Sequence, residues 1–394
     1  MTFEVPEHIR PLREEVKRFI VDRVEPVEKE LHSDTSMSLL KDLQAEAKSK
    51  SLWALGHPEE IGGGGLPFLD YVYVNEVQGR SEYGQLALGT FTLQDSLMLH
   101  KHASREQRGR WLDRVVSAEV WPSFSMTEPD IASSDPTQLQ TTAVLQDGHW
   151  MLNGVKWFVT GAARAGYTAV MCRTEFDVPA HDAFSIIIVP VGTPGYSIVR
   201  ETPVLGIEGG HYEIRFDDVR VPESSLLGER GKGFAIAQER LGPGRIFHCM
   251  RWLGQAQRAF DLLCERLNSR TAFGEVLANK QLMQQHVFES FAEIQACRLL
   301  TLDAARLIDS GDQARVEIGV IKVVGARMLH NVIDRAVQAY GAAGLTDDTP
   351  LSRMYREARS ARIYDGPDEV HVQSTARRVL RRYSNDGNWE FGLR

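Results

Sequence analysis

The sequence is short of cysteine, of massed positive charge and of long apolar runs. Its four cysteines, Cys172, Cys249, Cys264 and Cys297, lie far apart and form no C-x-x-C pair. Zinc-ribbon and thioredoxin-like chemistry therefore has no footing, and reduced, buried thiols are expected. Basic residues (45) are outnumbered by acidic ones (53), for a net charge of −8. Coating a nucleic acid needs Lys and Arg gathered on one face, so no nucleic-acid partner is expected, and a phosphate-bearing ligand must meet a local basic site. The longest apolar stretch, 184–191, contains Pro190 and falls well short of the ~20 residues of a membrane helix, so no membrane insertion is expected. The opening residues alternate acidic and basic groups around no apolar segment, so no targeting signal is read there and a cytoplasmic location is expected. The His100 and His102 pair lacks a third ligand at helical spacing, and no metal is expected.

What is present is a globular composition: 394 residues, 43% hydrophobic and 25% charged, enough chain for two or three packed units. Over 1–119 apolar residues recur at helical spacing (Leu12, Val16, Phe19, Ile20), and the glycine run Gly62 to Gly65 reads as a loop between helices. Over 120–232 β-branched and aromatic residues dominate, and Asp147-Gly148 and Asn153-Gly154 read as turns between short strands, which predicts a β-barrel or sandwich. Over 233–394 the helical period returns in long segments, 246–268, 282–310 and 316–343, as in an antiparallel four-helix bundle. Gly242-Pro243-Gly244 reads as a break, with Pro243 in the first turn of the helix that follows. Arg353, Arg356, Arg359 and Arg362 recur every third residue and read as a solvated or salt-bridged face. The expected fold is thus α+β and multidomain, with a helical domain, a β domain and a helical bundle in that order.

Two segments could carry chemistry. SFSMTEPDIASSD, residues 123–135, gathers small hydroxyls where the first part hands over to the second; Ser133, Ser134 and Asp135 either cap a turn or line a ligand cleft. NGVKWFVTG, residues 153–161, places Trp157 and Phe158 side by side. Alternation along a strand would send one ring to the core and leave the other to stack on a planar ligand.

The order of units and these motifs resemble the acyl-CoA dehydrogenase family over essentially the whole chain. T-E-P followed by a Ser-Asp pair, then N-G-x-K and an aromatic-x-Thr, are joined by three further elements in family order. Arg270-Thr271-Ala272-Phe273-Gly274 matches R-x-x-F-G, with Gln281 eight residues after the Phe; Gln338-Ala339-Tyr340-Gly341-Ala342 matches Q-x-x-G-G; Ile363-Tyr364-Asp365-Gly366-Pro367-Asp368-Glu369 matches I-Y-E-G-T-x-E/Q. The resemblance implies an FAD enzyme that desaturates an acyl-CoA thioester. Asp365 would take the α-proton, flavin N5 the β-hydride, and a backbone N–H with a ribityl hydroxyl would polarise the thioester oxygen. It also implies cofactor contacts from Phe124, Met126, Thr127 and Ser134, with Phe158 against the flavin ring and Thr160 near N5. Arg270, Phe273, Gln281, Gln338 and Ala342 would meet the adenosine pyrophosphate of FAD held largely by a neighbouring subunit, so a homo-oligomer, dimer or tetramer, is expected. Pro367 and Glu369 would adjoin the cofactor, and Ser134 and Arg245 the CoA portion, Arg245 offering a fixed charge to phosphate. The implied electron acceptor is an electron-transfer flavoprotein.

Three departures stand out. Asp365 replaces the usual Glu and carries its carboxylate one methylene nearer the backbone, while Pro367 replaces a Thr and with it a hydroxyl and a backbone donor, which implies altered adenine-side contacts. Ala342 replaces the second Gly. A rival base position in some family members, just before the Arg of the long helix, is Gly244 here. An Asp base also fits nitroalkane oxidases, which look like this family, and a non-catalytic acyl-CoA-binding protein would keep the fold without the base.

Overall fold

The three long helical periods form as helices Gly233–Ser269, Gln281–Asp309 and Arg315–Tyr340, joined by Asp368–Asp386. The structure, a computed structural model, describes residues 4–32 and 36–386. Its chain divides into two compact units. One gathers the described residues of Met1–Lys50, Leu66–Leu88 and Pro243–Arg394; the other comprises Ser51–Gly65 and Gly89–Gly242.

In the first unit the bundle is joined by helices of the N-terminal part, among them Arg10–Phe19, Ser36–Ser49 and Phe68–Gln78. Small residues set the closest approach: a Cβ on Gly254 would lie 2.0 Å from the Glu76 carbonyl oxygen, and one on Gly79 2.3 Å from Arg251 Cα. Backbones meet there with no room for a methyl group. The expected break at Gly242-Pro243-Gly244 is absent, because Gly233–Ser269 runs unbroken through it. Pro243 removes one N–H from the ladder, but the preceding turns have an apolar face of their own, with Ile236 and Ala237 fully buried, so the helix begins before the proline. Within the arginine stripe, half-buried Arg353 meets Glu82 at 2.6 Å and Glu357 at 3.0 Å, half-buried Arg362 meets Asp368 at 2.9 Å, and Arg359 is exposed.

The second unit is built on an eight-stranded sheet. Its strands are β1 (Trp121–Ser125), β2 (Thr142–Gln146), β3 (His149–Thr160), β4 (Ala165–Arg173), β5 (Phe184–Pro190), β6 (Tyr196–Glu201), β7 (His211–Pro222) and β8 (Leu226–Leu227), in the order β6-β7-β3-β2-β4-β5-β8, with β1 parallel to β4. The apolar run of β5 has a plain cause. Ile187 and Val189 join a core with Trp150 and Phe216, whereas Ile186 and Ile188 join one with Leu99, Trp111 and Tyr167, so the strand is buried on both faces.

Asp147-Gly148 makes the β2–β3 hairpin with φ of +48° and +71°, the left-handed pair of a type I′ turn. Asn153-Gly154 does not turn the chain; it is a bulge inside β3. The Asn153 side chain donates to Asp218 Oδ1 and accepts from the Asp218 N–H, both at 2.9 Å, which restores the pairing the bulge interrupts. The Gly62–Gly65 loop closes over buried His57: a Cβ on Gly63 would fall 2.2 Å from the His57 carbonyl oxygen. Cys172, Cys249 and Cys297 are buried, Cys264 only partly, and burial pushes the Cys172 and Cys297 thiols up to about 12. Among the described residues, no helix is long and apolar enough to cross a membrane.

Candidate functional site

Asp365 stands on a tight turn between helices Leu351–Ser360 and Asp368–Asp386. Its φ is +55° and that of Gly366 is +98°, a left-handed pair that most side chains resist. Gly366 is required twice over, since a Cβ there would also meet His371 Nε2 at 2.7 Å. Three donors hold the turn: Arg245 Nε donates to the Asp365 carbonyl at 3.2 Å, His371 Nε2 to the same oxygen at 3.0 Å, and Lys322 Nζ to the carbonyls of Ala361 and Gly366 at 2.7 and 3.2 Å. Lys322 is fully buried; desolvation pulls its pKa down and the nearby Asp365 carboxylate opposes that. The Asp365 carboxylate itself meets His248 Nε2 at 3.0 Å, with about a fifth of each side chain accessible (21% and 23%).

A cavity of about 220 Å³ opens inside this unit beside the pair. Its lining includes Ser81, Gln85, His248, Trp252, Gln255 and Tyr364. Trp252 Nε1 donates to the Tyr364 hydroxyl at 2.7 Å, and burial raises the Tyr364 phenol above its ordinary value. The sequence motifs single out Asp365 and Arg245 but not His248, which carries no local spacing signal: it lies in a helical stretch and reaches Asp365 only through the fold.

The β unit holds its own group of expected residues. The T-E-P and N-G-x-K motifs meet as a buried ion pair: Lys156 Nζ lies 2.8 Å from Glu128 Oε1 and donates to the Met126 carbonyl at 2.8 Å, while Glu128 accepts from the Gln140 and Thr141 N–H groups at 2.7 and 2.9 Å. Thr127 Oγ1 donates to the Trp157 carbonyl at 2.6 Å. Those contacts tie the 124–128 strand end to β3. Phe124 and Met126 pack against Leu139 and Phe184, with the Arg240 guanidinium 4.7 Å above the Phe124 ring. The expected splitting of Trp157 and Phe158 to opposite faces fails. A second irregularity of β3, between Lys156 and Val159, puts Phe158 at φ +51°, and the two rings touch at 4.8 Å with neither buried. Thr160 Oγ1 lies 3.1 Å from His211 Nδ1. Ser133 accepts from the Glu128 N–H and Asp135 from the Thr137 N–H, so these two cap turns, while Ser134 is exposed.

Arg270, Phe273, Gln281, Gln338 and Ala342 are all exposed at helix ends of the bundle unit. Phe273 tops the two-stranded turn Thr271–Ala272/Glu275–Val276 at 98% exposure with φ +54°. Arg266 donates to the Tyr340 carbonyl at 3.4 Å and lies over its ring, which draws the Arg270 end of one helix toward the Gln338 end of another. Pro367 is half-buried and Glu369 exposed at the start of Asp368–Asp386. His100 and His102 each face a carboxylate, Glu60 at 3.3 Å and Glu239 at 2.9 Å.

A helical N-terminal part, a mixed sheet and a helical bundle, with an acidic turn held at the bundle, define a class of fold that comparison with known proteins identifies. Descriptions of the acyl-CoA dehydrogenase N-terminal, middle and C-terminal domains match residues 6–119, 123–219 and 231–380. The chain belongs to the acyl-CoA dehydrogenase family. It is 44% identical over 357 residues to "Probable acyl-CoA dehydrogenase FadE2" of Mycobacterium tuberculosis, covering 88% of this chain and 87% of that one. It is 37% identical to human "Acyl-CoA dehydrogenase family member 11" over 95% of its own length and 49% of the relative's, so it spans about half of that longer protein. A solved structure from Mycobacterium abscessus, 34% identical, superimposes with a TM-score of 0.91 over 96% of this chain and 100% of that one.

Proposed function

We propose that the protein is an FAD-dependent acyl-CoA dehydrogenase that desaturates an acyl-CoA thioester between its α and β carbons, with Asp365 as the base. The setting of Asp365 carries this reading: a carboxylate on a strained turn whose main chain is held by Arg245, His371 and Lys322 from three directions, paired with His248, which lines a cavity. FAD, when bound, supplies the hydride acceptor. On the protein side, Asp365 takes the α-proton, a main-chain N–H beside it polarises the thioester oxygen, and Arg245 and Ser134 meet the CoA portion.

Two observations fit the cofactor to this chain. Phe158 presents an aromatic face at 45% exposure from a backbone conformation that bulky residues avoid, with the Thr160 hydroxyl two residues on. Phe273, beside Arg270, leaves nearly its whole ring in water, an arrangement that gains most if another molecule covers it. Phe124, Met126 and Thr127 would complete the flavin side; Gln281, Gln338, Ala342, Pro367 and Glu369 would complete the adenosine side. The same reading makes the protein a cytoplasmic homo-oligomer with the partition 1–119, 120–232 and 233–394, whose electrons leave to an electron-transfer flavoprotein.

Purified protein is expected to show flavin absorption that bleaches anaerobically on adding an acyl-CoA from a chain-length series. Oxygen-consuming turnover of a nitroalkane, with indifference to every CoA thioester, would instead select the nitroalkane-oxidase-like reading.

A further inference from the structure

His248 approaches the Asp365 carboxylate, and the protonation state of its ring is fixed by a second residue. Arg251 Nη2 donates to His248 Nδ1 at 2.8 Å. A guanidinium has donors only, so Nδ1 must be the lone-pair nitrogen and the ring proton must sit on Nε2. That nitrogen faces Asp365 Oδ2 at 3.0 Å, and its N–H therefore donates to the carboxylate. Adding a second proton to the ring would break the Arg251 bond and set two cations side by side. Burial, and then Arg251, hold the imidazole pKa below its ordinary value, with Asp365 opposing. The ring is further fixed between Trp252 and Tyr364, at centroid distances of 6.0 and 5.1 Å.

We infer that His248 is a positioning residue for the base: as a neutral Nε2–H imidazole set by Arg251, it fixes the orientation of the Asp365 carboxylate and stabilises its ionised form. His248 cannot itself be the base, since one ring nitrogen carries the proton and the lone pair of the other is engaged by Arg251. The arrangement suits an Asp, whose shorter side chain leaves less freedom to find a substrate and more to gain from being aimed. The inference rests on the proposal that Asp365 is the base. Charged and titratable groups face the carboxylate from each packed element: Arg245, His248 and Arg251 from helix Gly233–Ser269, Lys322 from Arg315–Tyr340, His371 and Asp368 from Asp368–Asp386, and Tyr364 beside it. The His248 Nε2–H points at a carboxylate oxygen, whereas Arg245, Lys322 and His371 donate to main-chain carbonyls of the turn.

Donation to the ionised form lowers a carboxylate's pKa, so losing the donor raises it. His248→Phe, which keeps a ring but no donor, is expected to slow anaerobic flavin reduction by acyl-CoA roughly 10- to 100-fold through lost orientation. The acid limb of its pH profile should move to higher pH, while flavin content and acyl-CoA affinity hold within about threefold. His248→Gln, which can still donate, should recover most of the rate. In 15N-histidine NMR, His248 should be the neutral Nε2–H tautomer through neutral pH and should take up a proton at higher pH in Arg251→Met. Asp365→Asn separates the two claims: if it reduces flavin at the wild-type rate, the base assignment fails. If Asp365→Asn is inactive while His248→Phe keeps the wild-type rate and acid limb, or His248 is found as the Nδ1–H tautomer, the positioning role alone is overturned.

Discussion

Lys156 and His57 show how single buried polar residues shape this protein. Lys156 is fully buried and its ammonium is compensated by Glu128 and the Met126 carbonyl. Removing one partner of such a pair strands the other charge, so Lys156→Met should lower unfolding stability by about 3–5 kcal/mol, with Glu128→Gln in the same chain recovering part of the loss. Denaturant melts of the single and double variants check this; equal stability of Lys156→Met and wild type would refute it. His57 is wholly buried and burial lowers its pKa from 6.5 to about 4. The folded state prefers the neutral ring, so this contribution is full above pH 6.5 and drains as pH falls toward 4. At about 1.4 kcal/mol for each tenfold change in proton affinity it amounts to about 3 kcal/mol, and His57→Gln should flatten the pH dependence of stability across that window by a similar amount. Asp365 was legible in the sequence because a motif carries it. His248 and Arg251 were not, because their partnership exists only after the helix and the turn have packed.

Among the elements, the long helices and the Asp147-Gly148 hairpin were legible because period and turn chemistry act locally. Two of the departures from expectation share one cause, which is tertiary compensation for a local signal. Asn153-Gly154 reads as a turn until Asp218 pairs with Asn153 across the bulge, and Pro243 reads as a helix start until Ile236 and Ala237 bury the turns before it. Helix packing in the bundle unit depends on missing methyl groups, among them the one at Gly254. Gly254→Ala would drive a Cβ to 2.0 Å from the Glu76 carbonyl oxygen, and such overpacking typically costs about 1–3 kcal/mol. Calorimetry should find a lower melting temperature for Gly254→Ala; an unchanged one would mean that the helices can part without penalty.

Across the whole molecule, the bundle unit shows more apolar surface than a lone chain needs. Phe288 and Phe291 on helix Gln281–Asp309 are 73% and 54% exposed, and Leu299, at helical spacing from them, is 45% exposed. In the proposed homo-oligomer this patch would lie at an interface. Phe288→Asp should therefore shift sedimentation of the protein toward monomer and, since the exposed Phe273 and Arg270 would serve a neighbouring copy, should also weaken FAD retention. A wild type that sediments as a monomer at micromolar concentration would contradict this. The central claim is that Asp365 removes the α-proton, and stopped-flow anaerobic reduction of flavin-loaded Asp365→Ala tests it most directly, using the acyl-CoA that bleaches the wild type fastest. Reduction is expected to slow by at least about 100-fold while the acyl-CoA still perturbs the flavin spectrum; reduction within about twofold of wild type would contradict the assignment of Asp365 as the base.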